Sequence, residues 1–219
     1  MTRYIFCALA AVCALIFRPQ VANADEYWDQ RASLFKLLPI YENDIVFLGN
    51  SITDGGEFGE LFEMGNIKNR GIRSDVIPGV EKRLEQVTGG KPKKIFLLIG
   101  INDVSHGLSV DKLAERYERL VKKIRTQSPK TLLYVQSVMP VNNGFNRYKG
   151  LAGKEKTIVK FNERIKSIAE RNGAKYVDLW PILSDGKGNL KREYTNDGLH
   201  LNGRGYKAWT NGIKHLVKE

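Results

Sequence analysis

An α/β fold, with five parallel strands covered by helices on both faces, is what the hydrophobic pattern of this chain predicts. Two observations carry that expectation. Short apolar runs recur without polar alternation, as in strands buried on both faces, and amphipathic helical stripes lie between them. A strand and helix alternation of this kind implies right-handed crossovers over a parallel sheet.

The first residues read as an export signal. Arg3 supplies a positive charge, Tyr4 to Phe17 an apolar segment too short to span a bilayer comfortably, and Ala22-Asn23-Ala24 a small-x-small cleavage site. Residues 1–24 are therefore set apart from a single domain over 25–219, exported to a secreted or periplasmic location without a stable membrane anchor. Lipoprotein processing at Cys7 or Cys13 is a lesser alternative, since neither cysteine follows a good Leu-small-small context. Both cysteines leave with the signal, so the domain has no disulfide, thiol nucleophile or thiolate metal site, and its stability must come from its core.

The first strand is the run Ile45 to Leu48, ended by Gly49. Asn50, Ser51, Ile52 and Thr53 then leave its carboxyl end, where open α/β sheets gather ligand-binding residues. Ile67 to Asn69 is a weaker strand. Val76, Val80, Leu84 and Val87 mark one helix, and the run Ile95 to Ile99 gives the next strand. A second helix, begun by Ser109 and Asp111, carries Leu113, Tyr117, Leu120, Val121 and Ile124. Leu132 to Val138 is a fourth strand. The connection from Asn142 to Gly153, rich in Asn, Gly and basic residues, is either a substrate loop or a solvated link. Ile158, Phe161, Ile165 and Ile168 form a third stripe closed by Gly173, Tyr176 to Leu179 a fifth strand, and Tyr206, Trp209, Ile213 and Leu216 a last helix.

Lys and Arg number 35 against 24 Asp and Glu, a net charge of +11. The cations are spread through helical patterns, as in Lys82-Arg83 and Lys122-Lys123, which describes a solvated surface more than a polyanion groove. No nucleic-acid partner is expected. Neither G-x-G-x-x-G nor G-x-x-x-x-G-K-[ST] follows the first strand, and Asp185 to Asn189 lacks the EF-hand ligand pattern, so no cofactor and no metal are expected.

Ser51 taken alone is an ordinary helix N-cap. Three further segments change its meaning: Gly71 in NRGIRSD, Gly100-Ile101-Asn102-Asp103 after the third strand, and Asp197-Gly198-Leu199-His200 before the last helix. The first two lie on one edge of a parallel sheet with Ser51, and the third can fold back onto it. Each also has a bland use. Gly71 can supply a turn, Asn102 can cap a loop, and Asp-Gly is a common turn pair.

In these blocks, taken in order, the sequence resembles the SGNH (GDSL-type) hydrolase family across nearly the whole exported domain. GNSIT stands in place of the GDS block, Gly71 matches the lone block glycine, GIND the G-x-N-D block, and DGLH the D-x-x-H block. The resemblance implies a flavodoxin-like three-layer α/β/α sandwich with a five-stranded parallel sheet. It also implies a serine esterase with Ser51 as nucleophile, His200 as base, Asp197 as its partner, and an oxyanion hole of the Ser51 N–H, the Gly71 N–H and the Asn102 amide.

The chemistry suits those residue types. Serine needs a base to take its proton, a neutral imidazole can do so, and a carboxylate three residues away can orient the ring. Asp103 and His106 repeat the D-x-x-H spacing, so His106 stays open as an alternative base or a pocket residue. Asn50 stands where the GDS block has aspartate. With Met139 and His106 it is taken as a substrate contact. The expected substrate is a small acyl ester, acetyl foremost, of a carbohydrate or lipid. A non-catalytic glycan-binding module and a flavodoxin-like phosphate or nucleotide binder are the competing functions.

Overall fold

The computed structural model describes residues 24–219, so all of the expected signal segment but Ala24 lies outside the described residues. Five strands, β1 (Ile45–Gly49), β2 (Ile67–Gly71), β3 (Lys94–Leu98), β4 (Leu132–Gln136) and β5 (Lys175–Val177), form one sheet in the order β2-β1-β3-β4-β5. All four pairings are parallel. The helices are α1 (Ala24–Leu37), α2 (Ser51–Asp54), α3 (Phe58–Phe62), α4 (Ile77–Lys82), α5 (Glu85–Thr88), α6 (Ile101–Ser105), α7 (Val110–Gln127), α8 (Glu155–Arg171), α9 (Trp180–Leu183) and α10 (Gly203–Lys218). α7 packs against α4, α5 and α8, and α10 against α3 and α9, which gives the three-layer α/β/α sandwich.

Every residue of β1 and β3 is buried, which is why both read as unbroken apolar runs. On one face Phe47, Phe96 and Tyr134 stand in register on β1, β3 and β4. Their rings stack at 4.9 Å and 4.5 Å. Trp209 of α10 meets Phe47 edge-on, and its indole N–H donates to the Gln136 side chain at 2.8 Å, so the row fixes where the last helix sits.

Two departures from the sequence pattern have physical causes. The Val76 to Val87 stripe predicts one helix, but the chain breaks into α4 and α5 at Arg83. That guanidinium turns inward, pairing with Asp75 at 2.8 Å and donating to the Gly49 carbonyl at 3.0 Å. Burial lifts the Asp75 carboxyl above its usual value against the pull of Arg83, and the Trp28 indole N–H donates to it at 3.0 Å. Residues 24–37 carry no apolar stripe, yet form α1. Among the residues of that helix whose burial is described, Ala32 and Phe35 are the buried ones, and Arg31 and Arg70 both lie over the Phe35 ring.

Candidate active site

Gly49 ends β1 where any Cβ would meet the Leu98 carbonyl and the Thr53 hydroxyl, so the strand can turn into α2 only through glycine. Asn50 caps the helix, its side-chain oxygen accepting the Ile52 N–H at 3.0 Å. That leaves Ser51 free of the capping role, with its hydroxyl 2.9 Å from His200 Nε2.

The other side of this contact is built by a turn before α10. Asp197 Oδ1 accepts the Leu199 and His200 N–H groups at 2.9 Å and 2.8 Å, and Thr195 Oγ1 accepts the Gly198 N–H at 2.9 Å. Gly198 takes φ +90°, a conformation glycine adopts without penalty. With one oxygen so held, Asp197 presents the other to His200 Nδ1 at 2.7 Å. A carboxylate can only accept, so the ring proton sits on Nδ1 and Nε2 is left to accept from Ser51. Burial would raise Asp197. Hydrogen bonds from the His200 ring, the Leu199 N–H, the Tyr148 hydroxyl and the His200 N–H outweigh it and hold the carboxyl well below the usual range.

Tyr148 is absent from the sequence-derived set. It comes from the Asn142 to Gly153 connection, and its hydroxyl donates to Asp197 Oδ2 at 2.7 Å while lying 3.0 Å from His200 Nδ1. Burial, the hydrogen bond to Asp197 and that residue's charge push the phenol up to about 12, so it stays a donor at neutral pH. The composition of the loop marked it as a possible substrate loop, but nothing local to Tyr148 announces the contact.

Ser51 and His200 open into a cavity of about 680 Å³ that is also lined by Asn102, Ser74 and Tyr148. Asn102, near the start of α6, donates one amide N–H to the Asp75 carbonyl at 2.8 Å, which leaves its second N–H uncommitted. Gly71 is not part of the lining. Its N–H donates to Asn69 Oδ1 at 2.8 Å, and a Cβ there would strike the Thr53–Asp54 backbone, so this glycine is needed for α2 to pack on β2. The exposed backbone lies three residues on. Ser74 sits at φ +60°, a left-handed conformation uncommon for serine, and its N–H has no acceptor among the described residues.

The remaining sequence candidates are dispersed. Asn50 is buried beneath the turn and Met139 is 2% exposed in the core, and neither lines the cavity. His106 is an exposed residue closing α6, its N–H donating to the Asn102 carbonyl at 3.0 Å. Asp103 turns away from it, accepting the Ile77 N–H at 3.0 Å with Arg116 at 3.6 Å, so the second D-x-x-H forms no pair.

Known proteins resemble this chain in sequence and fold. A Streptococcus pneumonia structure described as "a putative platelet activating factor" is 28% identical, covering 89% of this chain and 94% of its own, with a TM-score of 0.81. A GDSL-like lipase from Bacteroides thetaiotaomicron VPI-5482 shares the fold at 23% identity, covering 90% and 98%, with a TM-score of 0.72. The chain is also 28% identical over 182 residues to an N-acylneuraminate cytidylyltransferase of Escherichia coli O18:K1:H7 (strain RS218 / NMEC). That match takes in 80% of this chain and only 41% of that protein. Residues 47–208 match the family model for GDSL-like Lipase/Acylhydrolase, and the chain belongs to that hydrolase family.

Proposed function

We propose that this protein is an exported serine esterase that removes a small acyl group, acetyl foremost, from a carbohydrate or lipid. The observation that carries this reading is the unbroken run of contacts from Ser51 Oγ through the His200 ring to Asp197, at 2.9 Å and 2.7 Å, at a cavity bordered by uncommitted N–H donors. Ser51 Oγ attacks the ester carbonyl while its proton passes to His200 Nε2. The C–O bond to the alcohol breaks, and the alcohol leaves with that proton. Water, activated by the same nitrogen, then releases the acid from the serine.

Negative charge on the carbonyl oxygen meets the Ser51 N–H, the Asn102 amide and the Ser74 N–H, which takes the place given above to Gly71. Loss of one such donor costs about 10² to 10³ in rate. A small acyl group is favoured because the sequence carries no long apolar insertion that would form a lid over the site. Export rests on the residues of the leading segment, Arg3, the apolar run and Ala22 to Ala24.

The test of the enzyme is labelling of the intact protein with a fluorophosphonate, followed by peptide mapping. Modification at Ser51 is expected, and an unlabelled protein, or a label on another serine, removes the assignment.

Tyr148 gives a finer expectation. It shares Asp197 Oδ2 with the His200 ring, so Tyr148→Phe leaves that oxygen to the ring alone and the protonated imidazole is stabilised more. The acidic limb of kcat/KM is expected to move up by roughly 0.5 to 1 pH unit, about 0.7 to 1.4 kcal/mol, the net worth of one ordinary hydrogen bond. A limb that stays in place in a folded variant, read beside circular dichroism, shows that the hydroxyl does not act through the base.

A further inference from the structure

Arg73, Arg147 and Lys149 all line the Ser51 cavity, and among the described residues no Asp or Glu does. Arg73 is partly spent, since it pairs with Asp54 at 3.2 Å and lies over the Tyr27 ring. Arg147 and Lys149 form neither an ion pair nor a side-chain hydrogen bond among the described residues. Unpaired cations are not rare in a chain of this charge, since Lys156, Lys160 and Lys166 of α8 also lack an ion pair among the described residues. What distinguishes these two is their place at the Ser51 cavity.

The two free cations flank Tyr148, whose hydroxyl is held on Asp197 and His200, so the backbone that carries them is fixed beside the reacting centre. Both are exposed, and they bear no desolvation cost until a ligand arrives. Like charges gathered without a counter-ion repel one another, and an incoming anion relieves that repulsion. A guanidinium offers two parallel N–H groups to a carboxylate or phosphate, and an ammonium adds a point charge. The cavity holds far more than a small acyl group fills, which leaves the alcohol half of the ester to meet them.

We infer that the alcohol half of the substrate carries an anionic group, carboxylate or phosphate, bound by Arg147 and Lys149 at the rim of the Ser51 cavity. This rests on the esterase reading. The test compares kcat/KM for 4-acetoxybenzoate and for its neutral methyl ester, in the wild type and in an Arg147→Gln, Lys149→Gln double variant. Dividing the anionic by the neutral value in each protein, and then one protein by the other, cancels leaving-group reactivity.

That quotient is expected to fall about tenfold in the double variant, mainly through KM, as suits two exposed charges at a rim. The wild-type preference is expected to fade as salt is raised. A quotient equal in the two proteins overturns the inference. Acetylated glucuronate and acetylated glucose 6-phosphate, run in the same way, separate the two anions. The one whose turnover drops more in the double variant identifies the group, and equal drops support a site for either, whereas no drop on both counts against the site.

Should wild type hydrolyse neither benzoate ester, the esterase reading fails by itself. The anion site is then judged by calorimetric binding of glucuronate and glucose 6-phosphate to the wild type and the double variant. Affinity about tenfold weaker in the double variant supports the site, and equal affinity or no measurable binding overturns it.

Discussion

Replacing Ser51 with alanine is expected to lower hydrolysis of p-nitrophenyl acetate by on the order of 10⁴-fold or more, the scale on which serine hydrolases lose turnover with their nucleophile. The fold should survive. The Ser51 hydroxyl makes a single hydrogen bond, to His200, and the task that would have made the residue structural, capping α2, belongs to Asn50. Truncation at a half-buried position with no capping role costs little stability. The measurement is turnover beside a thermal melt. Unchanged turnover sinks the esterase assignment. A variant that loses both turnover and its melting transition would show instead that the hydroxyl supports the turn.

The second large effect separates the two histidines that share a D-x-x-H spacing. His200→Asn removes the acceptor from Ser51 and is expected to lower turnover on a scale similar to the serine variant, because nucleophile and base act as a unit. His106→Asn should retain most activity. Its ring lies outside the cavity lining, and the contribution of the residue to α6 is a backbone N–H that asparagine also supplies. Asp103, the acid of the competing pair, is committed to the Ile77 N–H. Side-by-side rates on p-nitrophenyl acetate decide the matter, and the reverse ranking would move the base to residue 106.

The parts of this molecule that could be read in its sequence are those whose cause is local or periodic. β1 and β3 are legible because strands buried on both faces leave unbroken apolar runs, and α7 because its buried residues repeat at helical spacing. The turn from Asp197 to His200 is legible through its resemblance to the family's D-x-x-H block and not through spacing alone, since Asp103 and His106 share that spacing and form no pair. The break at Arg83 was hidden. A buried guanidinium is stable only opposite a carboxylate brought by the fold, and hydrophobic periodicity carries no trace of it.

Gly71 and Ser74 illustrate the same limit. In a sequence a glycine marks freedom of the backbone, and the family resemblance assigned the donor to Gly71. That freedom is used by helix packing, while the uncommitted N–H lies on a serine held in a left-handed conformation. Tyr148 was invisible for a related reason. Its partners lie 49 and 52 positions away, beyond any local pattern.

The contact between Ser51 and His200 spans 149 positions of the chain, and the turn that carries His200 runs directly into α10, whose Trp209 packs on the aromatic row. On the proposed function, catalytic competence is expected to arrive late in folding. Contacts this distant in sequence form slowly, because the loop they close must lose its entropy before they repay it. Early refolding intermediates, and any fragment that ends before residue 200, would hold a correctly turned serine with nothing to take its proton. Recovery of turnover after dilution from denaturant would accordingly trail the return of helical signal, and the delay between the two would time the docking of the carboxyl-terminal segment.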